Sequence, residues 1–142
     1  MSEYYLFIIK DKTLKKPNDL YNVLFQLYKM KKNLNYGISL YKQLCSPFNI
    51  SILSKYLTKY NSNNKNIFYI DNSIIILKPS RIIIKSNDIL NIIKIFNFNN
   101  KNIFVCDFKN DYYFWLNDNK VKEYIWLNII NLVQLYRKVI EC

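Results

Sequence analysis

Near residue 66 the spacing of apolar side chains along the chain changes, and that change limits the folds open to it. Before it, Leu20, Val23, Leu24, Leu27 and Tyr28 recur at helical intervals, and Ile52, Leu53, Tyr56, Leu57 and Tyr60 repeat the pattern. Such spacing gathers apolar residues on one helix face. After it, residues 67–70, 73–77 and 82–85 are short β-branched runs, split by Asp71-Asn72 and by Lys78-Pro79-Ser80. Residues 103–107 and 112–116 continue in the same manner. Short runs bounded by turn residues read as strands. Helices first, strands next and a closing helix make an α+β chain.

The finer reading follows from local signals. Residues 4–9 (YYLFII) form a short strand or a docked arm, and residues 10–16 a basic connector. Pro17 with Asn18 or Asp19 starts a helix that reaches Lys32, with Lys29, Lys31 and Lys32 at its end, where cations suit the helix dipole. Gly37 opens a weakly strand-like stretch over 38–41. Ser46 as cap and Pro47 in the first turn start a second helix. Residues 61–66 and 97–102 are polar loops, and 88–95 makes one or two helical turns. Residues 120–140 form a helix whose apolar face, with Trp126, Ile129, Ile130, Leu132 and Leu135, is wider than one small lobe covers. The expected organisation is a lobe over 1–77 (helix, strand, helix, strands) carrying the basic helices, a small β-rich lobe over 78–119, and a helical extension over 120–142.

What is missing narrows the chemistry. With no histidine among 142 residues, the commonest general base and metal ligand is gone. A single glycine, Gly37, is too few for a phosphate-cradling loop of the Walker or dinucleotide type. Cys45, Cys106 and Cys142 show no C-x-x-C spacing and read as small buried hydrophobes, not as a zinc site or disulfide framework. Asp107 with Asp111, or Asp118 with Glu123, makes a carboxylate pair without an accompanying cradle. The expectation is a protein that is not an enzyme, with no cofactor, no metal and no small-molecule substrate. The longest apolar stretch, 124–136, is interrupted by Asn128, Asn131 and Gln134 and falls short of the ~20 residues of a membrane span. No cleavable presequence is evident, and no membrane partner is expected.

Charge supplies the positive argument. The net charge is +11, and between Leu20 and Ile70 stand seven lysines and no acid, interleaved with Tyr21, Phe25, Tyr28, Tyr36 and Tyr41. A one-sign stretch with aromatic residues suits a surface that tracks phosphates. The plainer reading is a solvated lysine face in a chain biased by AT-rich codons: there is no alanine, and lysine outnumbers arginine 19 to 2. Codon bias alone does not remove acids. An organellar genome, an AT-rich parasite or a virus fits the bias.

Residues 77–92 read LKPSRIIIKSNDILNI, and this stretch resembles the central segment of the bacterial-type small-subunit ribosomal protein eight family. The similarity in order and spacing extends over about residues 17–112. It implies a structural constituent of the small ribosomal subunit that binds the central domain of its ribosomal RNA in a mitochondrial ribosome, organelle-encoded, in preference to a plastid or cytoplasmic one. Lys78, Pro79 and Ser80 match the family motif, and Arg81 stands one position before the usual arginine, which falls on Ile82. In the first helix the family's basic stretch falls near Leu27, Tyr28 and Lys29, and the resemblance implies a phosphate contact for Lys29 alone. The family's Ser-Thr-Ser-x-Gly loop falls on Cys106, Asp107, Phe108, Lys109 and Asn110, which preserve neither hydroxyls nor glycine; Asn110 tolerates a left-handed turn there.

The expected RNA-binding set is Lys29, Lys31, Lys32, Lys55, Lys59, Lys78, Ser80, Arg81, Lys85, Lys109 and Asn110. Lysines of the first two helices would clamp phosphates, and Lys78, Ser80, Arg81 and Lys85 would fix register. The tail helix either completes the core or docks on a neighbouring ribosomal protein. Two other functions stand beside this one: a general nucleic-acid binder of an AT-rich virus or parasite, and a protein-interaction module built on the tail.

Overall fold

Six consecutive apolar residues close the strand β1, Ser2–Ile9, and five of its residues, Tyr5 to Ile9, are buried. Side chains of a strand alternate between faces, so such a run needs cover on both sides. It finds it. Leu6 and Ile8 enter one core cluster, while Tyr5, Phe7 and Ile9 enter another on the opposite face. The computed structural model describes residues 1–10, 16–30, 34–64, 66–96 and 102–116.

After β1 come the helices α1 (Pro17–Lys29) and α2 (Leu34–Leu44), the short strand β2 (Cys45–Ser46) and helix α3 (Ile50–Leu57). Strands β3 (Asn61–Asn64), β4 (Ile67–Ile70), β5 (Ser73–Leu77) and β6 (Ile82–Ser86) precede helix α4 (Ile89–Ile93), and β7 (Ile103–Asp107) and β8 (Tyr112–Trp115) follow. The strands form one antiparallel sheet in the order β3-β4-β5-β6-β1-β7-β8. β2 pairs with the end of β1, Ile8 opposite Ser46, beyond the reach of β6.

Helices cover both faces. Leu20, Tyr21 and Leu24 of α1 and Leu44 of α2 pack on Phe7, Ile83, Phe104 and Cys106. Leu57 of α3 and Ile89, Ile92 and Ile93 of α4 pack on Leu6, Ile75, Ile82, Ile84 and Val105. The mixed α and β class is therefore as the sequence predicts, and strands β4, β5 and β7 fall on the predicted residues.

Three details differ. Residues 38–41 are helical, because Leu40, Tyr41 and Leu44 meet the sheet from one side of α2. Ser46 is drawn into pairing with β1, and the cap of α3 passes to Asn49, whose side-chain oxygen accepts from the Ile52 N–H at 3.2 Å. Residues 61–64 are an edge strand, not a loop, paired with β4 through backbone groups that a polar sequence supplies as well as an apolar one. Leu77, the last residue of the expected first lobe, pairs with Ile82 across the β5–β6 hairpin. The expected extension over 120–142 lies outside the described residues.

The turns show how a chain with one glycine manages tight reversals. Asp71 and Asn72 join β4 to β5 with φ of 46° and 66°, the two left-handed residues of a primed hairpin turn. Across the start of β5 and the end of β6, the buried Ser73 hydroxyl donates to Ser86 Oγ at 2.8 Å, and Ser86 Oγ also accepts the Asp88 N–H at 2.9 Å.

Candidate nucleic-acid interface

The motif turn is built by backbone and held by a tyrosine. Lys78 and Arg81 exchange both backbone hydrogen bonds, 3.0 and 3.2 Å, so Pro79 and Ser80 are the two central residues. Proline suits the first of these because its φ is already fixed. The Pro79 carbonyl accepts the Phe48 N–H at 2.8 Å, and the Ser80 carbonyl accepts the Tyr41 hydroxyl at 3.0 Å. α2 thus fixes the turn that carries Arg81. Burial pushes the Tyr41 phenol up to about 12; the nearby Cys45 thiol adds to the shift and Arg81 opposes it.

Between α1, α2 and the sheet lies a cavity of about 480 Å³. Its walls are Tyr5 and Phe7 of β1, Leu24, Leu27 and Tyr28 of α1, Met30 after it, Gly37, Ile38 and Tyr41 of α2, the turn residues Ser80 and Arg81, and Phe108. The Tyr28 and Phe108 rings stack at 4.6 Å. Arg81 is half-buried and donates to Ser80 Oγ at 2.9 Å. Among the described residues it has no carboxylate partner. Gly37 has ordinary helical geometry; its significance is space, because a Cβ there would lie 2.8 Å from Met30 Sδ.

The predicted residues divide by place. Ser80 and Arg81 line the cavity, and Lys29 and Lys109 directly follow the lining residues Tyr28 and Phe108. Lys29 is exposed, with its ammonium 4.2 Å from the Phe25 ring centre. Lys78 is exposed at the base of the turn. Lys85 sits on β6 directly opposite Glu3 of β1, so an acid faces it across the strands. Lys55 and Lys59 belong to α3 and the turn after it, which pack on the other face of the sheet. Lys59 lies over the rings of Tyr56 and Tyr60 at 5.4 and 5.3 Å. The expected clamp by lysines of the two helices therefore does not form on one surface, because the sheet stands between them. Lys31 and Lys32 lie outside the described residues.

The loop after β7 is self-contained. Asp107 accepts the Asn110 N–H at 3.2 Å and its side-chain amide at 2.9 Å. The left-handed residue is Asp111, φ 56°, not Asn110 as expected. Asp111 accepts the Tyr21 hydroxyl at 2.9 Å. Both carboxylates are thus engaged internally, and Lys109 is exposed, with no acidic partner among the described residues.

No family model and no curated protein matches this chain.

Sequence reasoning missed the aromatic wall. Tyr5 and Phe7 read only as part of a strand or docked arm and Phe108 as part of a loop; α1 lays Tyr28 on Tyr5 and Phe108, and the helical setting of 34–44 adds Tyr41. The overlooked signal was the spacing Ile38, Tyr41, Leu44, which is helical once Gly37 is not taken as a break. Cys45 and Cys106 are buried as predicted. Burial raises the Cys45 thiol to about 12 and carries Cys106 well above its ordinary range. Among the described residues no helix is long and apolar enough to cross a membrane.

Proposed function

We propose that the protein binds RNA as a structural, non-catalytic partner, through the face that carries α1, α2 and the Lys78–Arg81 turn. The observation that supports this most is Arg81: a half-buried guanidinium beside an aromatic-walled cavity, with no carboxylate partner among the described residues. A guanidinium in that position is suited to a phosphate. Lys29, Lys78 and Lys109 carry positive charge on neighbouring elements, the stretch from Leu20 to Ile70 contributes no acid, and the nearby carboxylates Glu3 and Asp111 accept the Tyr5 and Tyr21 hydroxyls. Such contacts position a backbone without reading its sequence.

The narrower form of this proposal is a constituent of the small subunit of a mitochondrial ribosome. It rests on the Lys78-Pro79-Ser80-Arg81 resemblance. The helical residues 38–41 and the single sheet differ from the helix, strand, helix order that the resemblance implies, so the motif and the charge carry it.

The experiment is native purification in moderate salt, sedimentation with and without nuclease, and sequencing of crosslinked RNA, repeated with Lys78→Glu/Arg81→Glu. Nuclease-sensitive sedimentation with a small subunit, with crosslinks in one RNA segment and lost in the double variant, is the expected result. Crosslinks scattered over many RNAs replace the ribosomal form with a general nucleic-acid binder. A complex that survives nuclease and high salt overturns RNA binding in favour of a protein partner.

A further inference from the structure

We infer that the cavity between α1, α2 and the sheet is a nucleotide pocket: it takes one nucleobase among its aromatic walls and one phosphate on Arg81. The inference deepens the RNA-binding proposal and rests on it for the source of the nucleotide, a single strand. The shared chemistry, a planar ring joined to a phosphate, is also that of a free nucleotide.

Size is the first argument. A cavity of about 480 Å³ falls within the ~300–1,000 Å³ of small-molecule sites, which are mostly apolar with a few placed polar groups. Its polar side-chain groups are few: tyrosine hydroxyls, the Ser80 hydroxyl and the Arg81 guanidinium. The Tyr41 hydroxyl is committed to the Ser80 carbonyl, and the Tyr5 hydroxyl donates to Glu3.

Access is the second. Tyr28 and Ile38, on facing helices, are 53% and 52% exposed, so the cavity opens between α1 and α2. Tyr28 stacks on Phe108 at 4.6 Å, so a base would meet the exposed part of the Tyr28 ring and not insert between the two rings. Stacking on aromatic side chains accepts any base, and that matches a positively charged protein with only a few polar side chains at this site.

Charge complementarity selects an anion over a neutral ring. Arg81 and Ser80 sit together at one wall, the hydroxyl already within 2.9 Å of the guanidinium, so both can meet the same phosphate oxygens. The absent side chain of Gly37 lets Met30 Sδ lie close against α2, 2.8 Å from where a Cβ would stand, so this part of the wall is filled by Met30.

The test uses the full chain and two probes, uridine monophosphate and a fluorescein-labelled single-stranded oligouridylate, against wild type, Arg81→Met and the cavity-filling Ile38→Trp. Circular dichroism confirms that each variant folds, and Lys94→Ala on the opposite face serves as the charge-loss control. Binding of the free nucleotide, weakened about tenfold or more by either cavity variant and unchanged by the control, is expected. A parallel loss for the oligonucleotide identifies a strand as the source. Oligonucleotide binding that is equal in wild type and both variants, with no binding of the free nucleotide, overturns the pocket and leaves the RNA-binding proposal standing. Free-nucleotide binding that is sensitive to Arg81→Met, with no affinity for the oligonucleotide, supports the pocket and overturns RNA as its source.

Discussion

Removing the Ser86 hydroxyl should destabilise the protein more than removing its partner's, although the two form a single hydrogen bond with each other. Ser86 is fully buried and Ser73 nearly so, and their oxygens stand 2.8 Å apart. Ser86 Oγ also receives the Asp88 N–H. In Ser73→Ala one bond is lost while Ser86 keeps the Asp88 contact, so the cost is about 1 kcal/mol, the net worth of one hydrogen bond. In Ser86→Ala both bonds go and the Ser73 hydroxyl is left buried without an acceptor, which raises the cost to about 2–3 kcal/mol. Removing both hydroxyls leaves no orphaned hydroxyl, only the Asp88 N–H that Ser86→Ala also frees. The double variant should therefore cost no more than Ser86→Ala alone, a coupling of about 1 kcal/mol between two touching residues. Urea unfolding followed by circular dichroism, with all four proteins at one pH, measures the cycle. Equal costs for the two single variants, or costs that simply add, would refute this account of the network.

Three further outcomes are expected. Asn72→Gly should stabilise the β4–β5 turn by some tenths of a kcal/mol and Asn72→Val should destabilise it by about 1–2 kcal/mol, since φ is 66° there; thermal unfolding separates them. Gly37→Ala should gain little alone, because its Cβ meets Met30 Sδ, but should gain up to about 1 kcal/mol of helix propensity when combined with Met30→Ala, read as a difference between urea midpoints. The third concerns alkaline pH. The folded state holds the Cys45 thiol and the Tyr41 phenol neutral up to about 12, above their ordinary values of 9 and 10. Their contribution is complete below pH 9 and is lost as pH rises toward 12, because the unfolded chain ionises first. Urea midpoints that fall from pH 9 to 11, and fall less in Cys45→Ala, are the expected observation; flat midpoints refute it.

The strands were legible where burial alternates or saturates. Residues 73–77 alternate buried and half-buried, residues 103–107 are buried throughout, and both stand out as β-branched or aromatic runs between polar turns. The place of β1 was not legible. Its composition marks a strand covered on both faces, but only pairing with β6 and β7, contributed from much later in the chain, makes it central. α2 was hidden by Gly37, a residue that breaks helices on average and here fits the approach of Met30. The candidate site was half legible: Lys78 to Arg81 announces a basic turn, whereas the aromatic wall comes from four separate segments that no local pattern joins.

The position of β1 sets the order of events during synthesis. Of the described strands residues 2–9 emerge first, yet their two long neighbours in the sheet, 82–86 and 103–107, emerge late, with only 112–115 after them; the two-residue β2 covers no more than Ile8 and Ile9 before then. At roughly 5–20 residues per second this apolar segment waits several seconds for either partner. Throughout that interval the nascent chain displays Tyr-Tyr-Leu-Phe-Ile-Ile with unpaired backbone on both edges, the arrangement that invites strand pairing between chains. Yield in the cell should therefore depend on chaperone capacity and on the speed of elongation more than on the stability of the finished fold.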